Sequence, residues 1–288
     1  MATYRSLADL ADLTQDELLT GLINELKAYD QLTAALIANA QVTDRPTIKG
    51  NRLASVGTPV YADCSTSLTS EAISSDPFTY DLMTLVKSFD VCTTAQNLYS
   101  TFDDVLQSEL RGAIQAMSLK IAEDAITGNG TTEISGLETQ ITNTFNRAGA
   151  SLDMGDIDRL MDEVSAHASP NVVLVGAPAT VRAVLAELRA ESGGMTYDVL
   201  AGTEMKVPSY LGTKILRSEY VTANYLHAVD LNSFQLFIGQ AEDMNVGGIF
   251  ALQDVGALES SLAKRWRIYC HLAAVLKNRK AVATLINA

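Results

Sequence analysis

Cysteine is scarce in this sequence of 288 residues, which has only Cys64, Cys92 and Cys270, far apart and without a CxxC pair. This pattern excludes the disulfide framework that holds small secreted domains together, and it favours a reducing compartment. No apolar run approaches the roughly 20 residues that a membrane-spanning helix needs. The N-terminus, MATYRSLADLADLTQDE, is too acidic and too broken for a signal peptide. We therefore expect no membrane partner.

Positive charge is also scarce, because 21 Lys and Arg face 34 Asp and Glu, a net charge of −13. Such a balance argues against general nucleic-acid affinity, which needs a cationic surface. The residues after Glu259 nevertheless contain no acid, and their basic residues are Lys264, Arg265, Arg267, Lys277, Arg279 and Lys280. An acidic body with a basic C-terminal strip favours attraction between copies of the chain. An ordinary solvated face explains the strip as well.

The sequence lacks the motifs that bind nucleotides. The turn at 128–130, Gly-Asn-Gly, has no third glycine of a dinucleotide fingerprint and follows a helical pattern instead of preceding one. The run 212–214, Gly-Thr-Lys, has the wrong order for a P-loop. We expect no cofactor, and we interpret the first turn as a helix end with Gly128 in the left-handed conformation.

Catalytic and metal-binding patterns are missing too. There is no GxSxG nucleophile elbow. No zinc-ligand spacing links the isolated histidines, which are His167, His227 and His271. The aspartates at 153, 156 and 158 lack the glycine and the terminal Glu of a calcium loop and fit a helix start better. Cys270 adjoins His271, but adjacent strand residues point to opposite faces, so we expect Cys270 in the core. The sequence therefore predicts no catalytic residue and no metal ligand.

Two long helices stand out in the first half of the chain. The capping box TQDE predicts a helix over 14–39. A second helix is predicted over 102–126, roughly 37 Å long at 1.5 Å per residue. Its apolar stripe is Val105, Leu106, Leu110, Ile114, Met117, Ile121 and Ala125. Glu123 and Asp124 lie at its negative end, where Lys120 offsets them in part.

Between these helices lies a long segment with little charge. It contains Pro, Gly and the run CSTSLTSEAISS, and order returns with FTYDLMTLVKSFDV at 78–91. Loops of this length inside compact domains are usually functional. We interpret the segment as a protruding two-stranded arm, which needs a partner surface because an isolated hairpin is only marginally stable.

The second half of the chain alternates between helical and strand patterns. Helices are predicted from Asp153 and from Pro178, with strands at 171–176, 214–221, 225–230 and 234–240. Residues 265–272 alternate almost perfectly, which predicts a strand with a buried and a basic face. Trp266, Ile268, Cys270 and Leu272 form the buried face; the other face is Arg265, Arg267, Tyr269 and His271.

In the order of its parts the sequence resembles the major capsid proteins of tailed phages, the family with the Hong Kong 97-type fold. The features that carry the resemblance are the loop ending in FTYDLMTLVKSFDVCTTAQNLY, the long helix STFDDVLQSELRGAIQAMSLKIAEDAITG and the turn GNGTTEISGL. They are followed by PNVVLVGAPATVRAVLAEL and LAKRWRIYCHLAAVLKNRKAVATLI. The ordering covers nearly the whole chain, although each motif alone is weak.

The resemblance implies an α+β subunit with an N-terminal arm, an extended β-hairpin loop, a peripheral domain with a long spine helix and an α/β axial domain. The implied boundaries are 1–46 for the arm, 47–92 for the loop and 93–150 for the peripheral domain with the spine helix 102–126. The axial domain would span 151–240, the return to the peripheral domain 241–273, and a C-terminal segment of the axial domain 274–288.

The function implied is a major capsid protein, not an enzyme, that self-assembles as hexamers and pentamers into the icosahedral head shell around double-stranded DNA. Its implied partners are other copies, portal, scaffolding and decoration proteins, and packaged DNA bound without sequence specificity. It would lie in the virion capsid after assembly in the host bacterial cytoplasm. The residues that we expect at contacts between subunits are Phe78, Tyr80, Lys87, Glu123, Asp124, Arg265 and Arg267.

Two alternatives stay open. One is an encapsulin-like nanocompartment shell of the same fold. The other is an α/β enzyme or ligand-binding protein built on residues 151–240, which would require convergent polar groups that the sequence does not reveal. Some capsid relatives join subunits through a lysine of the extended loop and an asparagine. Lys87 lies at the base of the loop, but no matching Asn–Glu context accompanies it, so the sequence does not favour a crosslink.

Overall fold

The computed structural model describes residues 30–55, 74–92, 105–147, 152–165, 171–191, 196–200, 206–240, 244–246, 249–258 and 262–286. The helices in this part of the chain are α1 Gln31–Ala38, α2 Val105–Thr127, α3 Leu137–Gln140, α4 Met154–Ser165 and α5 Pro178–Glu191. The strands of the first half are β1 Gln41–Thr43, β2 Thr47–Ser55, β3 Ser74–Asp81, β4 Met83–Cys92 and β5 Thr144–Asn146. Those of the second half are β6 Val172–Gly176, β7 Thr196–Val199, β8 Lys206–Tyr210, β9 Thr213–Arg217, β10 Tyr225–Asp230, β11 Phe234–Gly239, β12 Met244–Val246, β13 Phe250–Ala257, β14 Ala263–Leu276 and β15 Val282–Ile286.

A six-stranded sheet is built around β14, which pairs antiparallel with β11, with β13 and with β4. β1 extends the sheet beside β11 in parallel, and β12 extends it beside β13. The alternation predicted for 265–272 is confirmed, since Trp266, Ile268, Cys270 and Leu272 are buried. The strand is longer than predicted because the apolar residues after Leu272 continue the ladder with β11.

A seven-stranded mixed sheet forms the second layer, in the order β5-β15-β10-β6-β9-β8-β7. α4 and α5 cover one face of it, burying Ile157, Leu160, Val184 and Leu188 against alternate residues of the strands. Both helices begin where the sequence predicted, α5 with Pro178 at its first position, where a missing N–H costs nothing. The strand predicted over 214–221 ends earlier, at Arg217.

The long helix α2 packs in the larger core, against β4 and β14 of the six-stranded sheet. Its described residues confirm the predicted stripe, because the side chains of Leu106, Leu110, Met117 and Ile121 are buried in the core that also holds Trp266. At 1.5 Å per residue its 23 residues are about 34 Å long. A helix of this length ties together strands that are far apart in sequence.

The helix predicted over 14–39 does not run through Asp30. A helix begins at Gln31, because Asp30 has an extended backbone, with φ −143° and ψ 109°, and its carboxylate accepts a hydrogen bond from the Thr33 N–H. Asp30 also forms an isolated β-bridge with Ser218. This is N-capping, in which a side chain replaces the missing carbonyl partner of the first turn. The remainder of the prediction, 14–29, lies outside the described residues.

The turn after α2 differs from the prediction for Gly128. This residue is not left-handed; its N–H still donates to the Asp124 carbonyl at 3.0 Å, as within a helix. Gly130 has the positive φ, 72°. Gly128 is required for space instead, because a Cβ there would lie 2.1 Å from the Ile134 carbonyl oxygen. The turn then leads into α3.

The hairpin predicted in the 47–92 segment is present as β2 and β3, which pair antiparallel from Thr47 opposite Asp81 to Ser55 opposite Ser74. β4 is not part of this hairpin. After Leu82 the chain joins the six-stranded sheet, and β4 pairs with β14 over ten residues, from Met83 to Cys92.

Candidate functional site

Phe78 and Tyr80 pack the hairpin β2–β3 against the six-stranded sheet of the same chain. Both pack with Ile48 and Leu82 against a small buried cluster, Phe237, Ala273 and Val275. Their rings are tilted at a centroid distance of 5.8 Å. Both side chains are only half-buried, so part of each ring is available to a second molecule.

Arg52 holds the same hairpin by polar contacts that the sequence did not reveal. Its guanidinium lies 4.5 Å from the Phe78 ring centroid, donates to the Tyr80 hydroxyl at 2.9 Å and donates through Nε to the Leu276 carbonyl at 3.1 Å. Asp76 on β3 accepts from Arg279 at 3.3 Å and lies 3.8 Å from Arg52. A buried arginine with carbonyl, hydroxyl and carboxylate partners is satisfied, as burial requires.

Gln140 completes this network from α3. Its Oε1 accepts from the Tyr80 hydroxyl at 2.7 Å and from the Leu276 N–H at 2.9 Å, while its Nε2 donates to the Ala274 carbonyl at 3.0 Å. One buried amide therefore joins the hairpin, α3 and β14. Gln140 also donates to the nearby Ser135 carbonyl at 2.6 Å. The only signal in the sequence was the polar residue itself, since its partners on β3 and β14 are separated from it by 60 to 136 positions.

Glu123 and Asp124, predicted as contact residues, lie in an ion cluster around Lys120. The Lys120 Nζ is 2.8 Å from Asp124, 3.0 Å from Glu133 and 3.3 Å from Glu123. The hydrogen bonds to Asp124 and Glu133 raise the pKa of Lys120, and Lys120 lowers the pKa of the Glu133 carboxyl. Burial raises the pKa of Asp124 although Lys120 opposes it. Glu123 alone among these acids is exposed.

The remaining predicted contact residues lie on β4 and β14. Residues that are paired across an antiparallel ladder share a face, so one face of these strands carries Thr84, Val86, Ser88, Asp90, Arg265, Arg267, Tyr269 and His271. We call this set the open face. Unlike the opposite face, it is not covered by α2, and Val86 is 47% exposed.

Charge on the open face is partly matched within the chain. Arg265 donates to both Asp90 carboxylate oxygens, at 2.7 and 2.8 Å, and this pairing lowers the pKa of the Asp90 carboxyl. Arg267 has no carboxylate within 4.0 Å among the described residues, and it lies opposite Ser88 and Gln253. Lys87 is exposed opposite Ile268, so it lies on the other side of the sheet from the two arginines.

The seven residues thus fall into three places: the hairpin base, the C-terminal end of α2 and the two sides of the β4–β14 ladder. No group of His, Cys, Asp and Glu in the described ranges could hold a metal ion. No helix in the same ranges is both long and apolar enough to cross a membrane.

Comparison with known proteins gives no match to a family model, and no curated protein is detectably similar in sequence. Solved structures match over nearly the whole chain. The holo-SrpI encapsulin complex from Synechococcus elongatus PCC 7942 has a TM-score of 0.70 at 16% identity, covering 88% of this chain and 86% of its own. The capsid of cyanophage A-1(L) has a TM-score of 0.70 at 13% identity, covering 90% of this chain and 93% of its own. The capsid of a native GTA particle has a TM-score of 0.67 at 14% identity, covering 89% and 90%.

The chain has the Hong Kong 97-type capsid fold. The matches include a cyanophage capsid, the capsid of a GTA particle and an encapsulin, and the α+β architecture predicted from the order of the sequence elements is confirmed. At 13 to 16% identity the comparison establishes this fold and not the protein's activity.

Proposed function

We propose that the protein is a major capsid protein that self-assembles as hexamers and pentamers into the icosahedral head shell of a phage around double-stranded DNA. The observation that carries this proposal is the match of some nine-tenths of the chain to a cyanophage capsid subunit with 93% of that subunit covered. The protein would lie in the virion capsid, after assembly in the host bacterial cytoplasm, and would have no catalytic role.

The domain assignment belongs to this proposal. The peripheral domain would be formed by 93–150 and 241–273, which include α2, β12 and β13 and most of β14. The axial domain would be formed by 151–240 and 274–288, which include most of the seven-stranded sheet. Two strands lie in the sheet of the other domain: β11 pairs with β14, and β5 pairs with β15. The pairing of β15 with β10 supports placing the C-terminal segment in the axial domain. Residues 1–46 would be an arm and 47–92 the extended loop.

The open face supports contact between subunits. Arg267, which has no carboxylate within 4.0 Å in the part of the chain that the structure describes, lies on it beside the exposed Val86 and the half-buried Tyr269, and the chain as a whole carries a net charge of −13. We propose that the extended loop of one subunit lies over this face of its neighbour. The rings of Phe78 and Tyr80 and the charges of Arg265 and Arg267 would then lie close to the interface, with Lys87, Glu123 and Asp124 at its margins.

Further partners follow from the same role. A head shell needs a portal and scaffolding, and decoration proteins are compatible with it. Packaged DNA would contact the shell without sequence specificity, and the acidic balance of the chain would limit its adhesion to the phosphates.

An encapsulin-like nanocompartment is the second candidate, since the SrpI encapsulin matches with a TM-score of 0.70. The two shells differ in content. A phage head would occur with a portal and packaged DNA, and a nanocompartment would occur with a cargo enzyme.

Electron microscopy and size-exclusion chromatography of the expressed protein test the proposal. We expect megadalton particles or hexameric and pentameric capsomers. A protein that stays monomeric over a wide range of concentration and salt would contradict both kinds of shell. Nuclease-protected DNA of defined length in particles purified from the natural source would favour the phage head, and a copurifying enzyme would favour the nanocompartment.

A further inference from the structure

A small cavity opens at the β5 edge of the seven-stranded sheet, away from the residues discussed so far. Its volume is about 260 Å³, and it lies between α4, β5 and β15. The residues that line it are Phe145, Asn146, Arg147, Asp156, Arg159 and Leu285. A cavity of this size holds a side-chain carboxylate or a small ion, and it is smaller than typical sites for larger ligands.

Arg147 is the buried cation of this cavity, with 11% of its side chain exposed. Its Nη2 is 2.9 Å from the Asp156 carboxylate, and its backbone N–H donates to the Ile286 carbonyl, which fixes its position. The contact with Asp156 is an ion pair without hydrogen-bond geometry, so the Arg147 Nη1 and the Asp156 Oδ2 are both buried without a hydrogen-bond partner in the described part of the chain. A buried donor without an acceptor is costly, and such groups in folded proteins usually have a partner.

Arg159 brings a second guanidinium to the cavity. Its central carbon lies 4.8 Å from the Phe145 ring centroid, a stacking contact that holds its plane at the cavity wall. No carboxylate of the described residues lies within 4.0 Å of it. Two guanidinium groups therefore face one carboxylate, leaving a positive charge in excess in a chain of net charge −13.

We infer that this cavity binds a carboxylate. The two oxygens of such a group match the paired donors of a guanidinium, so one ligand would satisfy the Arg147 Nη1 and balance Arg159. The carboxylate has two sources: an Asp or Glu side chain of a second copy, or a free small carboxylic acid. The first source rests on the proposed shell function, whereas the cavity and its charge do not depend on it.

Thermal unfolding with sodium acetate as the probe tests the inference, with sodium chloride keeping the ionic strength constant. The variants are Arg159→Gln and, as a matched control, Arg182→Gln, which replaces an exposed arginine of α5 outside the cavity. Because Arg159 is exposed, its replacement leaves the folded core intact. In subunits dissociated from particles, acetate at ten times its Kd should raise the Tm of the wild type and of Arg182→Gln by about 3 °C. The same acetate should not shift the Tm of Arg159→Gln.

Intact particles separate the two sources. If a neighbouring subunit supplies the carboxylate, acetate will not stabilise particles, and Arg159→Gln will weaken them relative to Arg182→Gln. If the ligand is a free acid, acetate will stabilise particles and subunits alike. An equal acetate response in all three proteins, or none in any of them, would overturn the inference. A chain that forms no particles contradicts the shell function, yet its acetate response still decides this inference.

Discussion

At the scale of single residues, two glycines of α2 and its C-terminal turn have opposite surroundings. A Cβ added at Gly128 would lie 2.1 Å from the Ile134 carbonyl oxygen and 2.5 Å from the Asp124 carbonyl oxygen, whereas one added at Gly112 would meet nothing within 4 Å. Backbone atoms at such distances cannot move aside as a flexible side chain can. The first glycine is therefore needed for space, and the second is not.

We accordingly predict that Gly128→Ala lowers the free energy of unfolding by about 1–3 kcal/mol, because the turn must shift to relieve the clash. Gly112→Ala should instead stabilise the subunit by about 0.5–1 kcal/mol, since alanine loses less entropy in a helix. Chemical denaturation of dissociated subunits measures both. An unchanged free energy of unfolding for Gly128→Ala would show that the turn can shift to make room for a Cβ beside the Ile134 and Asp124 carbonyl oxygens.

Glu138 gives a prediction that depends on pH. Its carboxylate accepts from the Thr222 N–H at 2.8 Å, from the Thr222 hydroxyl at 2.6 Å and lies 3.3 Å from the buried His227. Burial raises the pKa of Glu138, but the hydrogen bonds from His227 and Thr222 outweigh it, so the pKa is lowered. A lowered pKa in the folded state contributes stability above the unfolded value of about 4.3, and this stability is lost as the pH falls through the folded value.

Glu138→Gln should therefore be less stable than the wild type near pH 7, and the difference should shrink as the pH falls below about 4.3. Urea denaturation of subunits at a series of pH values measures it. Glu219→Gln, at an exposed carboxylate shortly before Thr222 in the sequence, is the control and should show little difference in stability at any pH. If the difference in unfolding free energy between the wild type and Glu138→Gln stayed constant down to acid pH, the ionised carboxylate would be ruled out as its source.

At the scale of elements, the hairpin β2–β3 depends on a few buried polar contacts at its base. The Tyr80 hydroxyl lies between Arg52 and Gln140, accepting from the Arg52 guanidinium and donating to the Gln140 Oε1. Tyr80→Phe removes that link and leaves the ring in place. We expect a loss of about 1–2 kcal/mol in local stability, seen as faster amide hydrogen exchange in 47–55 and 74–81. Exchange in α2 should not change.

Thr79→Val is the matched control for that experiment, because Thr79 is an exposed neighbour on the same strand. It should leave exchange in the hairpin unchanged. Equal exchange in the wild type and in Tyr80→Phe would mean that the aromatic packing alone holds the hairpin.

The elements that the sequence predicted well are those whose pattern is local. The apolar spacing of Leu106, Leu110 and Met117 is visible along α2, and the alternation around Trp266 is visible along β14. Each pattern indicates which side of one element faces the core, and the side chains on that side are buried in the structure. The seven expected contact residues rest on the charge distribution and on the order of the parts along the chain. Their roles between subunits stay predictions.

What the sequence could not predict depends on contacts between distant segments. Nothing in the spacing indicates that β4 pairs with β14, or that Arg52 donates to a carbonyl 224 positions away. The same holds for Arg147, whose partner Asp156 is close in sequence but whose cavity also needs Leu285 from β15. Register and buried polar partners are set by tertiary packing, and a single sequence carries no periodic signal for either.

At the scale of the whole molecule, the two arginines of the open face, Arg265 and Arg267, differ in their surroundings within the subunit. That difference determines which of them should be changed to test contacts between subunits. Reversing both Arg265 and Arg267 to Glu would disturb the subunit as well as its contacts. Arg265 pairs with Asp90, so a glutamate at 265 would face that carboxylate within the subunit. Arg267→Glu is the cleaner change, since Arg267 has no carboxylate within 4.0 Å among the described residues.

We predict that Arg267→Glu reduces the yield of particles on the order of tenfold. The new glutamate would face the acidic surface of a neighbouring copy, and this repulsion would be repeated at every contact between subunits. Subunit melting should change little, since the residue is on the surface of the sheet. Sedimentation of assembly reactions measures the yield, and Arg182→Glu on α5 controls for the change in net charge. If Arg267→Glu formed particles in normal yield, the prediction that the open face contacts a neighbouring subunit through Arg267 would be wrong.

The last two strands of the described chain have a consequence for synthesis. β14 pairs with β4, β11 and β13 in one sheet, and β15 joins β5 to β10 in the other. Both are translated after every strand that they pair with, so neither sheet can close on the ribosome before residues 263–286 have emerged. Non-local pairing of this kind is formed late. A nascent chain therefore lacks the β14 side of the open face until synthesis has passed residue 276, so any contact made through this face forms only after nearly the whole described chain has been translated.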